Sequence, residues 1–113
     1  MRAFNLRTKK ELSENVIVAK RLLERMKGLI GKKGLENGES LWIKPCKSVH
    51  TFGMRFPIDI IFLDRESRVV ALKKNFLKNH ITPLYFKAVS VLELPAGTIE
   101  MTDTRTGDRI EIV

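Results

Sequence analysis

The stretch Pro57-Ile58-Asp59-Ile60-Ile61-Phe62-Leu63 constrains this chain more than any other. Side chains alternate between the two faces of a β-strand, so a strand apolar at nearly every position must be covered on both. Asp64-Arg65-Glu66-Ser67 is polar enough to turn the chain, and Arg68-Val69-Val70-Ala71-Leu72 then returns, which predicts a hairpin. A chain with such a strand at its centre needs two covering layers.

Other β-rich runs can supply them. Residues 15–19, 40–44, 49–52, 88–94 and 109–113 each read as short strands. Pro95-Ala96-Gly97 stops one of them and leaves room for a helical turn, and Thr106-Gly107-Asp108 turns the chain into the last. Residues 73–86 carry no clear period and read as a loop or an irregular edge. The best helix lies near residues 20–31, where Leu22, Leu23, Met26, Leu29 and Ile30 share one arc and Gly31 supplies a stop. No repeat, linker or low-complexity stretch divides the chain. The expectation is a single domain over 1–113, mostly β, a small β-sandwich or barrel-like fold with one amphipathic helix.

The chain has 113 residues and a formal net charge of +8. Ten Lys or Arg against three Glu fall in residues 1–33, and eleven against ten acidic residues fall in the remainder, so the excess sits in the first third. Such asymmetry suits nucleic acid or an acidic surface, or simply a solvated basic face. No apolar run approaches the roughly 18 residues of a bilayer helix, and the N-terminal stretch has no signal-peptide apolar region, so a cytoplasmic location is expected. The single cysteine excludes an internal disulfide framework and a multi-cysteine zinc site. The absence of Gln beside abundant Lys, Arg, Glu and Ile is a mix also found in heat-adapted proteins.

Chemistry-bearing residues cluster between Pro45 and Asp59. Cys46, His50 and Asp59 have the types needed for nucleophile, base and orienting carboxylate. On a continuous strand, however, Cys46 and His50 lie about 13 Å apart, so a direct hydrogen bond needs a bulge or turn. The same spacing weighs against a metal site built from Cys46, His50, Met54, Asp59 or His80. Neither a metal nor another cofactor is expected. Asp59, between two isoleucines, points into a partly buried space and needs a cation or several donors there. His50 and Arg55 are its sequence neighbours, and backbone amides are the structural alternative. For nucleic acid, the basic residues lack interleaved aromatics and no RNP-like, KH-like or zinc-finger pattern occurs.

Together these residues bring a family to view. Residues 25–32 and 38–43, the stretch 45–64 with His50, Phe52, Met54, Pro57 and Asp59, and then Glu93, Gly97, Gly107 and Asp108 resemble the ordered motifs of the domain of unknown function 192 family. The resemblance runs from about residue 15 to the C-terminus. It implies a compact, mostly β domain of bacterial and archaeal distribution and supplies no activity. Where relatives have a Gly-x-x-x-Gly-Ile-like stretch, this chain has residues 98–105, Thr98 to Arg105.

The leading expectation is a non-catalytic binding or interaction module for a small ligand or a protein. Its pocket would be formed by His50, Met54, Arg55 and Asp59, with Trp42 as a wall and Cys46 nearby. One alternative is non-specific binding of nucleic acid or another anionic surface through Lys20, Arg21, Arg25, Lys27, Lys32 and Lys33. A second is a hydrolase or transferase that uses Cys46 as a thiolate.

Overall fold

The computed structural model describes residues 1–19, 38–49, 56–77 and 80–113. Among these, eight strands form two sheets. The larger has the order β3-β4-β7-β5-β6, from β3 (Asn15–Ala19), β4 (Glu39–Ile43), β5 (Ile58–Leu63), β6 (Val69–Phe76) and β7 (Ser90–Pro95). The smaller has the order β2-β1-β8, from β1 (Ala3–Asn5), β2 (Glu11–Ser13) and β8 (Ile110–Ile112). One short helix, α1 (Thr98–Thr102), follows β7. The arrangement is an open pair of packed sheets, with no closed barrel among the described strands.

The central apolar strand behaves as its sequence predicts. β5 runs antiparallel to both β6 and β7, and all six of its residues are buried. Ile61 and Leu63 meet Leu92 and Leu94 of β7, together with Ala3, Leu12, Ile99 and Ile110 from the smaller sheet and helix. Ile58, Ile60 and Phe62 face the opposite side, where Leu41, Ile43, Val91, Val49, Phe56 and Ala88 form a second cluster. Each face therefore has its own core, and burying such side chains contributes about 1.5–3 kcal/mol apiece.

The hairpin forms through Asp64, whose Oδ1 accepts the N–H groups of Glu66 and Arg68, both at 2.9 Å. The strands near residues 15–19, 40–44, 88–94 and 109–113 are present with boundaries shifted by one or two residues. The turn after Gly97 is indeed helical. Residues 73–76, the start of the stretch read as a loop or an irregular edge, continue β6 at the edge of the larger sheet. Two strands also lie where none was expected. β1 and β2 were not legible as strands, because each is three residues long and is held by pairing with distant chain, β1 with β8 at the other end of the sequence. Val49 begins no strand. It lies in irregular chain and exchanges hydrogen bonds with Thr82, while residues 50–52 fall outside the described residues. The amphipathic helix expected near 20–31 also falls outside them.

Candidate functional site

Of the expected pocket, Asp59, Trp42 and Cys46 lie among the described residues. Asp59, on β5, is 1% exposed and shares a face with Ile61 and Leu63. Across the β5–β6 pair, Ile58 opposes Phe76 and Ile60 opposes Lys73, so Lys74 and Asn75 together stand opposite Asp59. This is a β-bulge, and it leaves an amide without a ladder partner. Asn75 takes the left-handed conformation, φ 50°, and donates its N–H to Asp59 Oδ1 at 2.8 Å. Asp59 Oδ2 accepts from Gly97 N at 3.1 Å and from Ile99 N at 2.8 Å. Helix α1 starts at Gly97, φ 97°, and has no capping side chain of its own. Asp59 supplies that cap from a strand some forty residues away.

Among the described residues, the carboxylate meets its need for donors through three backbone amides. It forms part of the wall of an open cavity of about 370 Å³, lined also by Lys74, Asn75, Ala96, Gly97 and Glu100. Lys74 Nζ and Glu100 Oε1 approach to 3.9 Å across it, both exposed. Because the acceptor oxygens are engaged, Asp59 shapes this cavity more than it offers a free charge to it.

The other described members of the expected pocket lie elsewhere. Trp42 packs against the same core cluster as Ile61 but sits on β4, separated from β5 by β7, and does not line the Asp59 cavity. Its ring carries Lys44 Nζ 3.8 Å from the centroid, a cation–π contact. Cys46 packs on the opposite face of the sheet, with the Ile58 and Phe62 cluster. Its Sγ donates to the Ser48 carbonyl at 3.0 Å, a contact that engages the S–H form, whereas a nucleophile requires the thiolate. His50, Met54 and Arg55 lie outside the described residues, as do Lys20, Arg21, Arg25, Lys27, Lys32 and Lys33. Among the described residues, no group of three or more His, Cys, Asp and Glu is placed to hold a metal.

Two further buried carboxylates were not candidates in the sequence. Glu93, fully buried on β7, stands beside Leu41 and Ile60 on the sheet face opposite Asp59. Its signal was a charge within the apolar run 91–94, the same pattern that singled out Asp59. Asp108 holds the two ends of the chain together. Arg7 Nε donates to its Oδ1 at 2.7 Å, and Asn5 Nδ2 and the Arg105 N–H donate to its Oδ2 at 3.0 and 2.8 Å. The Arg7 guanidinium, with help from these donors, lowers the Asp108 pKa from 3.8 to about 2.

A different kind of feature follows β6. Thr82 is buried, its N–H donating to the Val49 carbonyl at 2.8 Å while its Oγ1 accepts the Val49 N–H at 2.9 Å. Tyr85 donates its N–H to the Lys47 carbonyl, and its ring lies 4.5 Å from that of Phe62. Lys47 Nζ reaches back to the carbonyls of Phe86 and Ala88 at 2.7 and 2.8 Å. With Thr82 and Tyr85 anchored inward, the residues between and beside them point out: Ile81 is 65% exposed, Leu84 52% and Phe86 79%. The sequence marked this segment only as hard to read, because its outward residues are more apolar than its anchors, the reverse of the usual pattern.

The comparisons agree with the architecture. A crystal structure of a protein of unknown function from Novosphingobium aromaticivorans DSM 12444 superposes with a TM-score of 0.76 and 23% identity, over 86% of this chain and 74% of that one. A proposed transcription regulator from Sinorhizobium meliloti 1021 superposes with a TM-score of 0.80 and 19% identity, over 97% and 89%. At these identities the likeness shows the fold alone. A search of functionally curated proteins finds no match. The motifs noted in the sequence do have a counterpart: the model of the domain of unknown function 192 family, described as Uncharacterized ACR, matches residues 4–112. The chain belongs to that family.

Proposed function

We propose that this domain is a binding and interaction module without catalysis of its own, and that its contact surface is the anchored segment 81–86. The observation that carries the reading is the outward set Ile81, Leu84 and Phe86, presented by a segment whose hydrogen bonds and Tyr85 ring fix it to the core. Large apolar side chains held this firmly in water are a feature of contact surfaces. Two of the three buried carboxylates among the described residues support the same reading from the other direction, since Asp59 and Asp108 spend their acceptor oxygens on backbone amides, Asn5 and Arg7. A photo-crosslinking residue placed at position 86 is expected to give adducts in cells that the same residue at Met101, also exposed, does not. Equal yields at the two positions would sink the reading.

A second reading has the cavity beside Asp59 in its favour. Its volume of about 370 Å³ is within the size of small-ligand sites, and polar groups converge on it from β5, β6 and the start of α1. In that reading His50, Met54 and Arg55 complete the pocket around the Asp59 wall. Native mass spectrometry of protein purified without chelators tests it: a retained mass lost in a Lys74→Ala variant supports a ligand there, and a bare-chain mass at saturating candidate ligands removes it.

A further inference from the structure

We propose that the cavity beside Asp59 takes a small zwitterion whose two charges lie close together, of the α-amino acid class. The proposal rests on the second reading above, of a small ligand in this cavity, and names the chemistry of that ligand.

Charge is the first argument. Among the described residues, the ionisable ones that line the cavity are Asp59, Lys74 and Glu100. Asp59 is buried and already accepts the N–H groups of Asn75, Gly97 and Ile99. The charges open to a ligand are therefore one ammonium and one carboxylate, Lys74 on β6 and Glu100 on α1. A simple anion would meet Glu100 and Asp59 as like charges, and a simple cation would meet Lys74. A ligand that carries both signs pairs with each side chain and is opposed by neither.

Geometry narrows the class. Lys74 Nζ and Glu100 Oε1 stand 3.9 Å apart, so the ligand's own charges must also be close. An α-amino acid, with a single carbon between ammonium and carboxylate, meets that condition. Turned so that its carboxylate faces Lys74 and its ammonium faces Glu100, it completes a ring of alternating charge. The existing pair offers little resistance to this exchange. Its side chains are 55% and 77% exposed, and a pair so open to water contributes little. The exposed Asn75 carboxamide, bonded to no described residue, adds a donor and an acceptor. At about 370 Å³ the cavity is near the small end of ligand sites. Ala96 and Gly97 complete its described lining without a large apolar group, which favours a short polar side chain such as that of serine.

The test follows the amide resonances of the isotope-labelled full chain during titration with L-serine, ethanolamine and glycerate. Ethanolamine lacks the carboxylate of serine, and glycerate has a hydroxyl in place of its ammonium. L-Serine is expected to shift the Asn75, Gly97 and Glu100 amides to saturation, and each single-charge analogue to bind at least about tenfold more weakly. Lys74→Met and Glu100→Gln should each weaken serine binding about tenfold. Their circular-dichroism melts should match the parent, since both side chains are exposed. Serine binding equalled by ethanolamine or glycerate, or untouched by the two substitutions, overturns the proposal. Serine binding that fails to saturate at about 50 mM, beside a natively retained mass that Lys74→Ala loses, overturns the zwitterion and leaves the small-ligand reading standing. No shift with any probe, together with a bare-chain native mass, overturns both.

Discussion

Two regions of this molecule break opposite rules of residue placement. Around β5, β8 and helix α1, charged groups are buried: Asp59 and Asp108 sit in the packed end of the fold. Around segment 81–86, apolar groups are exposed. Either departure costs free energy, but only the first is compensated within the chain. Asp59 answers its burial with three amides, and Asp108 with a guanidinium, an amide and Asn5. Nothing in the hydrogen bonding of segment 81–86 compensates the exposure of Ile81, Leu84 and Phe86. Its bonds fix the backbone that presents them. Compensated burial is a folding device, and uncompensated exposure is where a partner can contribute.

The sharpest way to break the comparison is to remove Asp59. Asp59→Ala leaves the amides of Asn75, Gly97 and Ile99 without their acceptor, and water from the adjoining cavity restores only part of what is lost. A loss of about 3–5 kcal/mol in urea unfolding is expected. Asp59→Asn keeps one acceptor oxygen and turns an NH₂ toward at least one amide, for a loss of about 1–3 kcal/mol. An Asp59→Asn protein as stable as the parent would return Asp59 to the ligand reading.

Asp108 gives the next effect and a pH signature. Its pKa is lowered on folding, so its contribution is complete above the unfolded value of 3.8 and disappears as pH falls through the folded value of about 2. The shift corresponds to about 2 kcal/mol. Asp108→Asn should therefore lower stability by about that amount at neutral pH and flatten the loss between roughly pH 4 and 2. A variant with the full acid dependence of the parent would place the titrating group elsewhere.

These two carboxylates also mark how far the sequence could be read. The two-faced strand, its hairpin and the turn at Gly97 are encoded within a few residues, and period and punctuation reveal them. The partners of Asp59 lie 16, 38 and 40 residues away, and Asn5 lies 103 residues from Asp108. No local pattern contains such distances. β1 and β2 were missed for the same reason, since their stability comes from pairing and not from their own residues. The motif resemblance pointed to Asp59, Gly97, Gly107 and Asp108 without saying why. Here Gly97 and Gly107 take φ 97° and 93°, a region costly for other residues, and the two acids hold the backbone around them.

A smaller effect separates anchoring from presentation. Thr82→Val preserves shape but deprives the buried Val49 amide of its acceptor, so a loss of about 1–2 kcal/mol is expected. Amide exchange at residues 81–86 should accelerate with it. If exchange there is unaffected, Thr82 does not hold the segment, and rigid presentation of Ile81 and Phe86 loses its support.

The smallest expected effect is the most informative. Phe86, at 79% exposed, has surrendered little of its surface to the fold, so Phe86→Ser forfeits almost no burial. Stability should change by no more than about 0.5 kcal/mol in urea unfolding, the range of ordinary surface substitutions. Ile81→Ser should behave alike, at 65% exposed. The same chemical change at Phe62, fully buried against Tyr85, would cost several kilocalories, because there the ring is part of the core. A large loss at Phe86 would mean that its ring packs against the fold in solution. The exposure would then be compensated inside the chain after all, and the two regions would no longer differ in kind.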